Sequence, residues 1–426
     1  MRSSARARAG RTAALAAPLA ALLLAVACAP RQGGTSGVEP RDTPAAPPPS
    51  VTGPLPHPVE GPPLWTAPFS SEPRAAGSSF VGVSQERAGG PLHFLGVDRD
   101  GVTRWATERD PSCTGFTVAR AEEGGDEFVV LLDREPDPDG GVLAHVTTAS
   151  AHDPDTGELR WGPTEVPGTL VGPGLVFAAV AGSVMSEETG PRTALAATTG
   201  EVVADEDDGD AVLHEHHGTL LLHRDGALRA VGPGGEGLWT HADLAVPDPL
   251  GDRPVAVGYG TRPSSDSSSA VVLEWTADPA EGGDEARDAL LYTVHHLRTG
   301  ARLLTLDPGT RPRLLGDGRG RTVVLGTPAA GGEARLYGLA ATEPAPVWEL
   351  PARPGERLAG LVGGTLYTDV PEGGTGRAVD AATGDVPAEL PTEVADRIPV
   401  AALPGGPALL PVPEGGGGAL AALPVS

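Results

Sequence analysis

The amino-acid sequence predicts an all-β fold: an eight-bladed β-propeller of four-stranded antiparallel blades, with seven blades as the alternative. Three observations support this prediction. A glycine precedes tryptophan by four residues at four places, and a similar turn without tryptophan occurs at three more. The units are spaced roughly 35 to 65 residues apart, as in propeller-type arrays. Beyond residue 60, no stretch has the sustained periodicity of an amphipathic helix.

Each unit has the pattern of a strand, a tight turn and a second strand. In "HDPDTGELRW", residues 152–161, a polar turn separates two short runs that alternate in polarity. Asp153 and Asp380 stand four residues before Gly157 and Gly384, where a carboxylate can accept hydrogen bonds from turn amides. The glycine supplies the positive φ that other residues avoid.

Five of the six tryptophans share one position of the repeat: Trp65, Trp105, Trp161, Trp239 and Trp348. A small four-stranded sheet cannot bury its two apolar faces alone and must stack on its neighbours. A large flat side chain near the outer edge can cover the next blade while its indole N–H donates to a backbone carbonyl. We therefore interpret these tryptophans as structural.

The two ends of the chain carry complementary halves of a unit. The segment "GPPLWTAPF", residues 61–69, is a second half with no first half before it. The C-terminal segment has strand-like runs with no glycine–tryptophan half after them. A ring closes without an exposed edge if the N-terminal strand completes the last blade. This closure predicts eight blades, with Trp65 close to the last ten or so residues of the chain.

The repeat, Asp-x-x-Thr-Gly followed by three variable residues and tryptophan, resembles the pyrroloquinoline-quinone-like β-propeller family over residues 61–426. The family includes quinoprotein dehydrogenases, known for a vicinal disulfide at the cofactor and an acid/asparagine set that holds calcium. This chain has two distant cysteines, Cys28 and Cys113, and no asparagine. We therefore expect no quinone cofactor, no other cofactor and no catalytic residues.

The N-terminal residues predict a lipoprotein signal peptide over residues 1–27. Four arginines precede an apolar run of about 16 residues, which is short for a transmembrane helix. Ala25, Val26 and Ala27 form a small-residue cleavage site, and Cys28 follows it. This resembles the lipobox, in which cleavage after Ala27 leaves a lipid-modified Cys28. Ordinary secretion by cleavage after Ala27 is the alternative.

Residues 28–60 are rich in proline and glycine and contain few apolar residues, so we expect a disordered spacer there. The propeller should occupy residues 61–426. The formal net charge of −25 disfavours nucleic acid as a partner. The same charge repels anionic lipid, so membrane attachment should depend on the lipid at Cys28.

Three segments are candidates for ligand or metal binding. His214 and His216 alternate along a strand and could supply two metal ligands, although solvated or hydrogen-bonded histidines are the commoner outcome. The acidic run at residues 204–210 could hold calcium or form a solvated loop. The longest unit carries Trp275 between two insertions, which could form a ligand-binding loop or be a tolerated surface insertion.

The sequence therefore favours a non-enzymatic binding or scaffold module, anchored by lipid to the extracytoplasmic face of a bacterial cell membrane. We expect a monomer with a protein partner in the cell envelope. The alternative is a ligand sensor or an enzyme that uses the central funnel of the propeller. A polar cluster at one mouth of the funnel would favour that alternative, and a featureless mouth would favour a scaffold.

Overall fold

The computed structural model describes most of the chain beyond residue 36. The described residues are 37–85, 90–110, 115–120, 125–136, 145–172, 174–180, 189–251, 254–261, 268–277, 290–329, 331–371, 373–412 and 419–426. They belong to one compact unit, which spans Thr35–Ser426. No helix in this part of the chain is long and apolar enough to span a bilayer.

Eight antiparallel sheets form the eight-bladed β-propeller, which confirms the predicted fold. Blade 1 contains β3 (Arg74–Ala76), β4 (Ser79–Ser84), β5 (Leu92–Asp98) and β6 (Thr103–Arg109), with β1 (Glu39–Thr43) added to its outer edge. Blade 2 contains β7 (Phe116–Arg120), β8 (Glu127–Pro136), β9 (His145–His152) and β10 (Leu159–Val166). Blade 3 contains β11 (Thr169–Leu170), β12 (Val176–Val180), β13 (Thr189–Leu195) and β14 (Val202–Asp205). Blade 4 contains β15 (Ala211–His216), β16 (Thr219–Arg224), β17 (Ala227–Val231) and β18 (Gly237–Thr240).

The second half of the ring repeats this order. Blade 5 contains β19 (Val255–Thr261), β20 (Ala270–Ala277), β21 (Leu290–His296) and β22 (Arg302–Thr305). Blade 6 contains β23 (Thr310–Gly316), β24 (Arg321–Pro328), β25 (Arg335–Ala340) and β26 (Trp348–Pro351). Blade 7 contains β27 (Arg357–Val362), β28 (Thr365–Asp369), β29 (Gly376–Asp380) and β30 (Ala388–Leu390), followed by helix α1 (Thr392–Ala395). Short 3-10 helices span Glu206–Asp208, His241–Asp243 and Asp248–Leu250.

Blade 8 is built from both ends of the chain. It contains β31 (Ala401–Ala402), β32 (Ala408–Val412), β33 (Ala419–Leu423) and the N-terminal strand β2 (Trp65–Ala67). Strand β2 pairs with β33 in the register Trp65 to Ala422 and Ala67 to Leu420. The closure inferred from the two half-units is therefore confirmed.

The apolar core is divided among the interfaces between successive blades. Each interface buries side chains from two facing sheets, as between blades 1 and 8, where Trp65, Leu409 and Leu420 pack against Phe80 and Leu95. This division explains why a single blade could not fold alone: half of the contacts of each apolar face come from its neighbour.

The five repeat tryptophans make the same contact at five of these interfaces. Each indole N–H donates to a backbone carbonyl in the outer turn of the next blade, between its third and fourth strands. The bonds are Trp65 to Arg99 (3.3 Å), Trp105 to Pro154 (2.8 Å), Trp161 to Ala197 (2.6 Å), Trp239 to Leu297 (2.6 Å) and Trp348 to Ala381 (2.9 Å). All five side chains are buried.

The turn glycine of the next blade lies directly against each indole. A Cβ atom on Gly384 would lie 2.7 Å from Cγ of Trp348, and one on Gly157 would lie 2.7 Å from Cγ of Trp105. Both glycines also have positive φ, +79° and +73°. Glycine is therefore required at this position for two reasons. It allows the positive φ of the turn, and it leaves the space that the indole fills.

Tryptophan is missing where the next blade lacks this turn. Blades 3, 5 and 7 have Ala204, Leu304 and Ala388 at the tryptophan position. The outer turns of the following blades 4 and 6 span residues 232–236 and 341–347 and have different sequences, and blade 8 has the chain ends instead. The tryptophan of one blade and the turn of the next therefore form one structural unit.

Residues 37–60, for which we expected a disordered spacer, instead lie against the propeller and form what we call the strap. Strand β1 pairs with the outer strand β6 of blade 1. Ala46 then bridges to Thr66 on blade 8. The few apolar residues of the segment are buried against existing surface, with Val59 and Leu55 packed on the C-terminal blade. The composition of the segment predicts disorder because its few apolar residues cannot form a core of their own. In the structure these residues pack instead against the cores of the neighbouring blades.

The strap also covers two of the tryptophan contacts. Val38 packs in the apolar cluster that contains Trp105, at the interface of blades 1 and 2. Ala45 packs in the cluster that contains Trp65, at the interface of blades 8 and 1. Arg397 donates to the carbonyl of Thr52, which ties the strap to the segment after α1. The strap thus runs across the seam at which the ring closes.

We predict that Gly384→Ala destabilises the ring more than Gly235→Ala. Both glycines have φ of +79°, so both variants should lose the roughly 1–2 kcal/mol that a left-handed alanine costs. Gly235 has no atom within 4 Å of the added Cβ, whereas Gly384 faces Trp348. Overpacking at Gly384 should therefore cost about 1–3 kcal/mol more. Urea unfolding of both variants measures the difference, and equal losses would contradict the proposed role of the contact.

Candidate functional site

The centre of the propeller contains an elongated channel of about 1280 Å³. The innermost strands of the blades line it, because they are the strands nearest the ring axis. The lining is uneven in polarity. Blades 7 and 8 contribute mainly aliphatic side chains and glycine turns, whereas blades 1, 2 and 6 contribute arginine and acidic side chains.

A group of polar residues crosses the channel, and we call it the channel bridge: Arg120, Glu127, His217, Gly318 and Arg319. The guanidinium of Arg120, at the end of β7 in blade 2, donates to the carbonyl of Gly318 in the β23–β24 turn of blade 6, at 2.7 Å. Blades 2 and 6 are opposite members of an eight-bladed ring, so this bond spans the axis of the channel.

Glu127 is the central anion of the channel bridge. Its carboxylate forms an ion pair with Arg120 and lies 3.5 Å from Nη2 of Arg319. It also accepts a hydrogen bond of 2.5 Å from the amide of Gly77, in the β3–β4 turn of blade 1. Because the Glu127 side chain is only 10% exposed, removal of either cation would leave a poorly solvated carboxylate. Glu127 thereby holds blades 1, 2 and 6 together.

His217 joins the channel bridge from blade 4. It lies in the β15–β16 turn with φ of +50°, and its ring stacks on that of His216 with 3.7 Å between centroids. Burial and then the charge of Arg120 lower the pKa of His217 to about 4, against a hydrogen bond to the backbone of Gly318 that raises it. The ring is therefore neutral at pH 7 and can lie beside the Arg120 guanidinium.

Glu215 ties blade 4 to blade 3. One carboxylate oxygen accepts from the amide of Leu175 in blade 3 and the other from the amide of Gly218, both at 2.7 Å. Gly174 leaves the space for this approach, because a Cβ there would collide with the carboxylate. Burial raises the pKa of Glu215 to about 7, while the two amides act to lower it.

The structure does not bring His214 and His216 together as metal ligands. The Nε2 atom of His214 donates to the carbonyl of Ser268 at 2.8 Å, and its Nδ1 therefore accepts from the Tyr259 hydroxyl at 3.0 Å. Both ring nitrogens are thus occupied. Burial lowers the pKa of His214 to about 4 and that of His216 well below 6.5. Among the described residues, no group of three histidine, cysteine or carboxylate side chains is arranged to hold a metal ion.

The acidic run at residues 204–210 uses its oxygens for local structure. Glu206 accepts from the amides of Arg192 and Val212, both at 2.9 Å. Asp210 forms ion pairs with Arg224 at 3.1 Å and with Arg229 at 2.6 Å. These carboxylates are therefore committed to backbone amides and guanidinium groups.

Trp275, a candidate for a ligand-binding loop, is instead a core residue of blade 5. It lies within β20, is only 1% exposed, and its indole N–H donates to Oγ1 of Thr293 at 2.6 Å. Val271, Leu273 and Ala277 of β20 pack in the same cluster as Trp275 and residues of blade 4, which places the indole between blades 4 and 5. Trp275 therefore contributes to no ligand-binding loop, and most residues of the two insertions beside it, 262–267 and 278–289, lie outside the described residues. Cys28, Ala27 and Cys113 lie outside the described residues.

Asp153 and Asp380 lie in the outer turns of blades 2 and 7. The Oδ1 atom of Asp153 accepts from the amides of Asp155 and Thr156, at 3.0 and 2.9 Å. In blade 7, Asp380 accepts from the amides of Ala382 and Thr383 in the same way, at 2.7 and 3.0 Å. The carboxylate thus fixes the conformation of the turn. The residue directly after each aspartate, Pro154 or Ala381, supplies the carbonyl that accepts the tryptophan N–H.

Comparison with known proteins shows only a loose likeness to other propellers. No family model and no curated protein matches the chain. Among solved structures, BamB from Moraxella catarrhalis is 14% identical with a TM-score of 0.36, over 83% of this chain and 94% of that one. The dihydro-heme d1 dehydrogenase NirN is 14% identical with a TM-score of 0.30, over 87% and 73%. Hsv2p of Kluyveromyces lactis is 11% identical with a TM-score of 0.30, over 75% and 98%. Likeness at this level says nothing about binding or activity.

We predict that His214 makes the propeller sensitive to acid. Its folded pKa of about 4 lies below the unfolded value of 6.5, so the unfolded chain takes up the proton first and stability falls as pH drops from about 6.5 to 4. At pH 5 this corresponds to about 2 kcal/mol. The loss of stability between pH 7.5 and pH 5, measured by urea unfolding, should be smaller by that amount in His214→Gln. His93→Gln, a partly exposed change on β5, serves as the control, and an equal effect there would contradict the prediction.

Proposed function

We propose that this protein is a non-enzymatic binding module of the bacterial cell envelope, a propeller scaffold with repeats of the pyrroloquinoline-quinone-like type. The observation that carries this proposal is the set of exposed aliphatic side chains on the outer rim: Leu159, Val202, Val347 and Val386. The channel bridge supports it by bracing the ring. Arg120, Glu127 and Arg319 pair with one another across the ring axis and link blades 1, 2 and 6. Charges used in this way stiffen the ring, and a stiff ring is suited to presenting its outer surface to a partner.

The membrane anchor in this proposal is a lipid on Cys28. Its basis is the Ala25 to Cys28 sequence that follows the apolar run. The strap changes the geometry expected for such an anchor. Only eight residues lie between Cys28 and Gly37, the first described residue of the strap, so an extended chain would span about 30 Å between these two positions. A lipid at Cys28 would therefore hold the propeller close to the membrane rather than at the end of a long spacer.

We predict that Cys28→Ser prevents lipid attachment and releases the protein from the membrane. Cells grown with a labelled fatty acid should incorporate label into the wild-type chain, and fractionation should find that chain in the membrane. Cys113→Ser, which changes the other cysteine, should leave both results unchanged. Normal label and membrane retention in the Cys28→Ser variant would contradict the proposed anchor.

We predict that the outer rim contacts a protein partner. Leu159 and Val202 are 56% and 51% exposed, and they occupy the equivalent position two residues after the turn glycine in blades 2 and 3. A photo-crosslinking amino acid placed at either position in the full chain should capture the same envelope protein in living cells. The same amino acid at Arg313, on the innermost strand of blade 6, is the control. If no rim position yields a protein adduct, including Val347 and Val386, the scaffold proposal fails.

A second function, ligand sensing through the central channel, is favoured by a specific observation. The polar groups of the channel bridge meet at the turns of the inner strands, beside a cavity of about 1280 Å³. This is the arrangement that distinguishes a ligand-binding funnel from a featureless one. The two functions are compatible, because the rim and the channel are different surfaces of the same ring.

A further inference from the structure

Two arginines of blade 6 differ from the other charged groups of the channel. Arg319 lies in the β23–β24 turn and Arg321 begins β24, and both side chains line the cavity. Their backbone amides are fixed by Oδ1 of Asp317, which accepts from Arg319 at 2.7 Å and from Arg321 at 3.0 Å. The turn therefore presents two guanidinium groups from a rigid base.

The guanidinium of Arg321 has no hydrogen-bond acceptor or carboxylate partner among the described residues. It extends towards the β27–β28 turn of blade 7, where a Cβ on Gly364 would lie 3.0 Å from its Nη1. Because Gly364 has no side chain, the Arg321 guanidinium can occupy this space. A cation without a partner is unexpected on the wall of a channel, because the other described arginines that line the cavity, Arg74, Arg120 and Arg319, each have an interaction partner.

Arg319 is only weakly paired. Its Nη2 lies 3.5 Å from Glu127, which is longer than a strong charge-assisted hydrogen bond. Burial lowers the pKa of Arg319, with the charge of Asp317 acting in the opposite direction. The guanidinium groups of Arg319 and Arg321 are therefore only partly exposed to water inside the channel. They form a local cationic site in a chain whose net charge is −25. A carboxylate or phosphate can satisfy such groups through paired N–H donors.

The adjoining wall of the channel, on blades 7 and 8, has the opposite chemistry. Strand β27 contributes Leu358, Leu361 and Val362 to the lining, and blade 8 contributes Val400 and Leu403. The cavity, about 1280 Å³, is much larger than a single oxyanion needs and exceeds the roughly 300–1,000 Å³ typical of ligand pockets. A ligand that used both walls would have an anionic end and an apolar body.

We propose that the channel binds an amphiphilic anion, with its carboxylate or phosphate on Arg321 and Arg319 and its alkyl chain along the β27 and blade 8 wall. Arg321 provides the main contact because its guanidinium is available without breaking an existing pair. Arg319 adds a second contact once it turns from Glu127. This site goes beyond the scaffold role and does not depend on the rim, the lipid anchor or a protein partner.

The test uses calorimetric titration of the full chain carrying Cys28→Ser, so that no attached lipid competes. The probes are dodecanoate, dodecyl phosphate, uncharged dodecanol and inorganic phosphate, each alone and below its aggregation concentration. We expect saturable binding of at least one of the two amphiphilic anions, and at least tenfold weaker binding of dodecanol and of inorganic phosphate. Preference between the two anions identifies the headgroup.

Variants locate the site. Arg321→Gln should weaken binding of the amphiphilic anion by about 10- to 100-fold, the effect of losing a charge-assisted contact. Arg313→Gln, an exposed arginine on β23 that does not line the channel, should leave binding unchanged. Thermal unfolding should show that both variants are as stable as the parent chain. If Arg321→Gln fails to fold, Arg321→Lys takes its place, with a several-fold loss expected because lysine keeps the charge but cannot form the bidentate contact.

Four outcomes would overturn the proposal. These are no binding of either anion, equal binding of dodecanol, equal weakening by Arg313→Gln, and unchanged binding in a folded Arg321→Gln variant. Because the experiment uses purified protein without membrane or partner, its failure would leave the scaffold proposal intact. Failure of the rim crosslinking would likewise leave the channel site intact.

Discussion

The contact between a tryptophan and the glycine turn of the next blade is the interaction on which the ring depends. It joins two blades through one buried indole, one hydrogen bond and one close approach, as Trp348 does with Ala381 and Gly384. A four-stranded blade has no core of its own, so interactions that recur between neighbouring blades contribute to the stability of the whole ring. Its absence before blades 4, 6 and 8 coincides with a different outer turn or a chain end in those blades.

Ring closure adds a second requirement, because the seam in blade 8 is held only by non-covalent contacts. Strand β2 supplies the missing fourth strand, and the strap then crosses the same seam from blade 1 to blade 8. The channel bridge braces the ring from inside, with Glu127 in contact with groups from three blades. Together these contacts explain how a chain with 60 glycines can form a rigid structure. Many of the described glycines have a positive φ, at which another residue would be strained.

Two surfaces of the ring are available for function, the outer rim and the central channel. The rim carries exposed aliphatic side chains at equivalent positions of several blades, which suits a protein partner. The channel combines a cationic wall on blade 6 with an aliphatic wall on blades 7 and 8, which suits a ligand with both characters. Most buried ionisable groups elsewhere, such as His214 and Glu215, are hydrogen-bonded within the ring. Arg321, which is half-buried, has no such partner among the described residues, and the channel site is based on it.

The sequence by itself determined the fold class, the ring closure and the positions of the five repeat tryptophans, and it favoured eight blades over seven. These features follow from a short turn pattern that recurs along the chain. One copy of the pattern is weak evidence for a fold, but several copies at a regular spacing indicate a repeat architecture. The order of the strap could not be read in this way, because its apolar residues Val38, Leu55 and Val59 are too few to form a core and only become buried on neighbouring blades. The channel bridge was also missed. Arg120 and Gly318 are 198 residues apart, and only the closed ring brings opposite blades to one axis. An alignment of the inner turns could have placed His217, Gly318 and the segment after Arg120 at one repeat position. Tertiary structure alone decided which of these channel groups form pairs and left Arg321 without one. The reason is that pairing across a ring depends on distances between blades, and no local sequence pattern contains those distances.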